Sequence, residues 1–142
     1  MMPASLHLKI VSDSATLCEV RRQVEAYGQS IGYDESCVAG IMLAMDEALT
    51  NIIRHAYQGQ SDQPIEISLS AQDGLLRIVI RDYGRVVPHE KIRSRDLTDI
   101  RPGGLGVHIM KTCMDTVTYA TPEGGGTCLT MTKTLPPAKA ES

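Results

Sequence analysis

Phenylalanine and tryptophan are absent from the 142 residues, and five tyrosines are the only aromatics. Aliphatic side chains and seven methionines must therefore fill the core. Basic charge is not in excess: the formal charge is −3, which argues against nucleic acid as a direct partner. The four cysteines, Cys18, Cys37, Cys113 and Cys128, form no C-x-x-C pair, and Cys18 and Cys113 fall in apolar helical patterns. Free thiols in a reducing cytoplasm are expected rather than a disulfide framework. The amino terminus lacks a basic segment followed by an apolar run, and nowhere do eighteen apolar residues run together. A cytoplasmic protein with no membrane contact is expected. None of the four histidines stands at metal-site spacing: His89-Glu90 is not followed by a second histidine, and His7, His55 and His108 stand apart.

The length suits one domain with a substantial core. Leu6, Leu8 and Ile10 alternate with His7 and Lys9, the period of a half-buried strand. Caps at Ser12-Asp13-Ser14 precede Leu17, Val20, Val24, Tyr27 and Ile31 at helical spacing, and Gly32 ends that helix. A second helix, capped by Asp34 or Ser36, is expected to run to about Tyr57. Ile65, Ile67 and Leu69, the turn Asp73-Gly74, and Leu76, Ile78 and Ile80 read as an antiparallel hairpin. From Gly84 to Gly104 the periodicity fails over a stretch rich in Arg, Asp and Pro, long for a connection in a compact domain, and a functional lid is expected there. Leu105 to Met114 reads as a helix, Val117 to Ala120 as a strand, Gly124-Gly125-Gly126 as a turn and Thr127 to Leu135 as a last strand. The expected fold is α+β, a two-layer sandwich of a mixed, mainly antiparallel sheet covered by helices. Residues 1–136 would form the domain and 137–142 a flexible tail.

Three local patterns carry chemistry. In the second helix Ile41, Met42, Met45, Ala48, Leu49, Ile52, Ile53 and Ala56 make a broad apolar stripe, while Glu47 and Asn51, four apart, share another face. Asp46 points well to the side of Asn51, so the acid acting with the amide is Glu47. A carboxylate beside a hard oxygen ligand suits magnesium and a hydroxyl nucleophile. Taken alone, the pair is more often a solvated helix face. Asp82-Tyr83-Gly84 follows an apolar strand, where a carboxylate can accept from a base amino group and a glycine lets backbone approach the ring. A lone tripeptide of this kind is more often a strand-ending turn. It is not the D-F-G of a eukaryotic-type protein kinase, because no H-R-D loop or strand lysine accompanies it. Gly103-Gly104-Leu105-Gly106 opens a helix, so its N–H groups can converge on an anion, although it matches neither a Walker loop nor a dinucleotide fingerprint. Lys91, Arg93, Arg95 and Arg101 in the same stretch can screen phosphates or simply be solvated. His55, one turn beyond Asn51, borders the same region, and a capping role fits it equally.

In order along the chain, Glu47-x-x-x-Asn51, Asp82-x-Gly84, a long lid, Gly104-x-Gly106 and Gly126-Thr127 resemble the Bergerat-type (histidine-kinase-like) ATP-binding fold. The run Asp46 to Tyr57 and the absence of an attached receptor or dimerisation domain look like the bacterial anti-sigma-factor serine kinases. The resemblance implies ATP and magnesium as cofactors, with Asn51 holding the metal, Asp82 reading the adenine amino group with Thr127 assisting through water, and Gly84 flanking the base. It implies that Gly104, Leu105 and Gly106 meet the phosphates with Arg101 and His55 nearby, and that Glu47 is the general base for a serine hydroxyl of a partner. The implied protein phosphorylates a small anti-sigma-factor antagonist, sequesters a sigma factor and is a homodimer. The alternative is a non-catalytic switch in which ATP orders the lid and controls partner binding. Arg21 and Arg22 do not register cleanly with the partner-contacting arginine of that family.

Overall fold

A computed structural model describes residues 5–85 and 109–136. Strand β1 (Leu6–Val11) leads through a single 3-10 turn (Ser14–Thr16) into α1 (Leu17–Ser30), and α2 (Glu35–Asn51) follows. Strands β2 (Pro64–Gln72), β3 (Leu75–Asp82), β4 (Thr116–Ala120) and β5 (Thr127–Thr134) complete a sheet of order β1-β2-β3-β5-β4. Residues 109–113 are helical, within the helix expected from Leu105 to Met114.

All four strand pairings among the described residues are antiparallel, in keeping with the expected mainly antiparallel sheet and without its mixed element. The reason lies in the connections. Two helices separate β1 from β2, and each reverses the chain, so β2 returns opposite to β1; a single helix would have brought it back parallel. Strands β3 and β4 do point the same way, but β5 lies between them and pairs with both. Between β2 and β3 the loop is Asp73-Gly74 with Gln72 opposite Leu75, and its positive φ values of 54° and 79° are those of the turn that matches strand twist.

One sheet face supplies Ile65, Ile67, Leu69, Leu76, Ile78, Ile80, Leu129 and Met131 to a single core shared with Val20 and Val24 of α1 and Ile41, Ala44, Met45, Ala48 and Leu49 of α2. Residues Glu35–Ala56, at mean hydropathy 1.4, have the length and composition of a membrane span. Their packing is that of a core helix: Ile41, Ala44, Met45, Ala48 and Leu49 are each at most 2% exposed. With no Phe or Trp available, buried tyrosines add bulk to the core. The Tyr33 hydroxyl donates to the Thr134 carbonyl at 2.8 Å, tying the α1–α2 connection to β5, and burial pushes its pKa up to about 12.

Asp34 is the N-cap of α2, its side chain accepting from Cys37 N at 2.8 Å. The helix does not run evenly to Tyr57 as its periodicity suggests. After Asn51 it widens into a π-helical turn, Ile52–Ala56, closed by Tyr57 N donating to the Ile52 carbonyl at 2.9 Å. The widened turn delivers the His55 and Ala56 carbonyls to Arg85, which donates to them through Nε at 2.9 Å and its backbone N at 3.0 Å.

Two substitutions separate turn strain from core packing. Gly74→Ala adds a Cβ that meets nothing within 4 Å, so it should cost only the strain of a left-handed backbone, about 1–2 kcal/mol. Leu49→Ala, which opens a cavity between α2 and the sheet, should cost about 2–5 kcal/mol. Urea unfolding checks both, and equal costs would contradict this division.

Candidate active site

The site is built where the ends of α2, β3 and β5 meet. Asp82 closes β3 opposite Thr127, the first residue of β5, and is only 3% exposed. A buried carboxylate needs donors. Gly84 N supplies one at 3.0 Å, and the Thr127 backbone N–H supplies another. Burial nevertheless dominates and raises the Asp82 pKa, while those two N–H groups and the nearby Arg81 charge act in the opposite direction.

Two glycines make this arrangement possible for a steric reason. At Gly126, φ is +74° and a Cβ would collide with the Asp82 carbonyl oxygen. At Gly84 a Cβ would strike the Ala56 carbonyl and come within 2.8 Å of the Tyr57 ring. The chain thus wraps Asp82 with backbone on both sides, at separations only glycine permits. Arg81 braces the loop before β5 by donating to the Gly125 carbonyl at 2.8 Å, with its guanidinium 4.4 Å from the centroid of the Tyr83 ring.

Asp82 opens on a cleft whose walls include Asn51, His55, Arg85 and Thr127, with apolar surface from Ala48, Ile52, Ala56, Tyr119 and Leu129. One acceptor at the base of an apolar slot suits a flat heterocycle with an exocyclic amino group. The half-buried Asn51 side chain makes no hydrogen bond with a described residue, so among these residues nothing competes with a ligand for it. Asp46 is occupied: Arg21 Nε donates to both its carboxylate oxygens, at 2.9 and 3.0 Å. Glu47 makes no hydrogen bond or ion pair with a described residue.

The structure therefore brings together Asn51, His55, Asp82 and Thr127, with Gly84 against the same floor. Glu47 does not line the cleft itself; it lies one helical turn before Asn51 at the same end of the molecule. Arg101, Gly104, Leu105 and Gly106, like most of the expected lid, lie outside the described residues. Two contributors were missed in the sequence, Arg85 and Tyr57. Their signals are faint: Arg85 directly follows Asp-Tyr-Gly, and Tyr57 ends the helical pattern that carries Asn51.

The sequence model of the histidine kinase-like ATPase domain matches residues 10–133. The chain belongs to that family. Among curated relatives of this ATPase, it is 27% identical to a serine-protein kinase RsbW of Halalkalibacterium halodurans, over 94% of this chain and 85% of the relative. It is 26% identical to an anti-sigma F factor of Geobacillus kaustophilus, over 98% of each. An anti-sigma F factor of Halalkalibacterium halodurans is 33% identical over 70% of this chain and 71% of its own length. A crystal structure of the RsbU and RsbW domains of Rv1364c from Mycobacterium tuberculosis shares the ATPase fold, with a TM-score of 0.67 at 21% identity over 94% of this chain and 32% of that one.

The raised pKa of Asp82 has a signed consequence for stability. At pH values below the ordinary carboxylate range the group is protonated in both folded and unfolded chains. As pH rises through the raised folded value, ionisation favours the unfolded chain and stability is lost. Asp82→Asn lacks that loss. Its urea midpoint relative to the unmodified protein should therefore move in favour of the variant from about pH 4 upward. A midpoint difference that does not change with pH would contradict the burial account.

Proposed function

We propose that this chain is an ATP-dependent serine protein kinase and anti-sigma factor that phosphorylates a small anti-sigma-factor antagonist and sequesters a sigma factor in the cytoplasm. The observation that carries the reading is the buried Asp82 carboxylate at the floor of an apolar cleft, with Asn51 on its wall, in a member of the histidine kinase-like ATPase family. Asp82 accepts a hydrogen bond from the adenine amino group, and Thr127 and Gly84 border the base. The partners are supported by the names of the relatives. The homodimer rests on the resemblance noted from the sequence.

A magnesium ion fits what is present at Asn51: an amide oxygen with no described partner, on the cleft wall, is a hard ligand of the kind this ion accepts alongside phosphate oxygens and water. Among the described residues no group of three or more His, Cys, Asp or Glu could hold a metal, so a nucleotide-borne ion suits the site better than a cage of side chains. When bound, the ion neutralises charge on the β- and γ-phosphates. Glu47, whose side chain has no partner among the described residues while Arg21 engages Asp46, takes the proton from the serine hydroxyl of the antagonist. The serine oxygen then bonds to the γ-phosphorus as the bond to the β-phosphate oxygen breaks and ADP departs.

Removing the base should separate chemistry from binding. Glu47→Gln should bind ATP with unchanged affinity, while single-turnover phosphorylation of a cognate antagonist falls by about a hundredfold to ten-thousandfold. Full transfer by this variant would exclude Glu47 as the base, and no transfer by the unmodified protein would favour the nucleotide-switch alternative. Asn51→Ala should weaken ATP binding in the presence of magnesium but have little effect when the ion is chelated. Isothermal calorimetry reads that difference, and identical losses with and without the ion would remove Asn51 as its ligand.

A further inference from the structure

Tyr57 leaves the end of the π-helical turn and crosses to the sheet at the point where β2 begins and β3 ends. It is 4% exposed, and its hydroxyl is used in both directions: it donates to the Pro64 carbonyl at 2.6 Å and accepts from Tyr83 N at 2.7 Å. Its ring lies where a Cβ on Gly84 would come within 2.8 Å. The peptide linking Asp82 to Tyr83 is thus gripped at both ends. Its N–H meets the Tyr57 hydroxyl, and its C=O accepts from Arg81 Nη1 at 3.3 Å and packs against Gly126.

We propose that Tyr57 is a positioning residue for base selection, fixing the Asp82–Tyr83 peptide so that the Asp82 carboxylate faces the amino group of adenine. This rests on the ATP reading of the cleft and adds to it the element that orients the selecting group. The mechanism is geometric. Asp82 keeps its orientation because Gly84 N reaches its Oδ1 at 3.0 Å beside the donor from Thr127 N, and Gly84 follows directly from the gripped peptide. Freed of the Tyr57 hydroxyl, that peptide can rotate, and rotation carries Gly84 N away from the carboxylate. The Tyr83 N–H, in a part-buried bond, would also lose its acceptor. Arg85 holds the other side of the clamp by donating to the His55 and Ala56 carbonyls, which ties the residue after Asp-Tyr-Gly to the π-helical turn.

The test compares ATP with inosine triphosphate, which carries a carbonyl oxygen where adenine carries its amino group, using calorimetry on the full chain. The unmodified protein should prefer ATP. Tyr57→Phe keeps the ring against Gly84 and removes only the hydroxyl. It should lower ATP affinity by about tenfold while leaving affinity for inosine triphosphate nearly unchanged, so the preference shrinks. A purely structural role would weaken both nucleotides together and leave their ratio intact, and an unchanged ratio in the folded variant overturns the proposal. An unmodified protein that binds both nucleotides equally overturns the base reading itself, a result distinguishable because it precedes any substitution. Should Tyr57→Phe fail to fold, amide exchange in the unmodified protein decides: the Tyr83 N–H should be among the slowest exchangers near the cleft, and rapid exchange there refutes the clamp.

Discussion

A carboxylate almost removed from water, Asp82, is the constraint on which the rest of this architecture depends. Ionised, it is tolerable only with N–H groups aimed at it, and those come from the backbone of Gly84 and Thr127. That requirement sets the residue types around it. Gly126 and Gly84 bring backbone to separations where any Cβ would collide, and Thr127 must stand opposite Asp82 in the β3–β5 register. Burial that raises the energy of the charged form also leaves the carboxylate poised to gain from a donor on a ligand, so a stability cost and a binding gain share one origin.

The helical layer serves the same point from the other side. α2 is held into the core by Ile41, Met45, Ala48 and Leu49, which fixes Asn51 on the cleft wall and Glu47 a turn before it. Arg21 on α1 engages Asp46, leaving the neighbouring Glu47 as the acid without a described partner. At 43% and 29% side-chain exposure, that ion pair contributes about 0–1 kcal/mol, so its value is in sorting two adjacent acids rather than in stability.

Much of this was legible in the sequence because its signals are local. Alternation in residues 65–69 and 76–80 with Asp73-Gly74 between them specifies a hairpin, and the four-residue spacing of Glu47 and Asn51 specifies a shared helix face. The mainly antiparallel sheet expected from the sequence is antiparallel in every described pairing, because two helices lie between β1 and β2 and because β5 inserts between β3 and β4, an order that no local pattern encodes. The features that escaped depend on partners distant in the chain. The π-helical turn after Asn51 makes its stabilising contacts with Arg85, and Tyr57 finds Tyr83 across a separation of 26 residues. Neither partnership leaves a periodic trace. Glu47 shows the limit of spacing arguments in another way: helical geometry put it on the face of Asn51 but did not say that the cleft wall would begin at Ala48.

The central claim is that the buried carboxylate of Asp82 recognises the nucleotide base. Calorimetric titration with ADP, which excludes phosphoryl transfer from the measurement, tests it most directly on the unmodified protein and on Asp82→Asn at neutral pH. The account predicts binding to the unmodified protein and an affinity loss of about tenfold or more in a variant that remains folded. Equal affinity in the two proteins would contradict it.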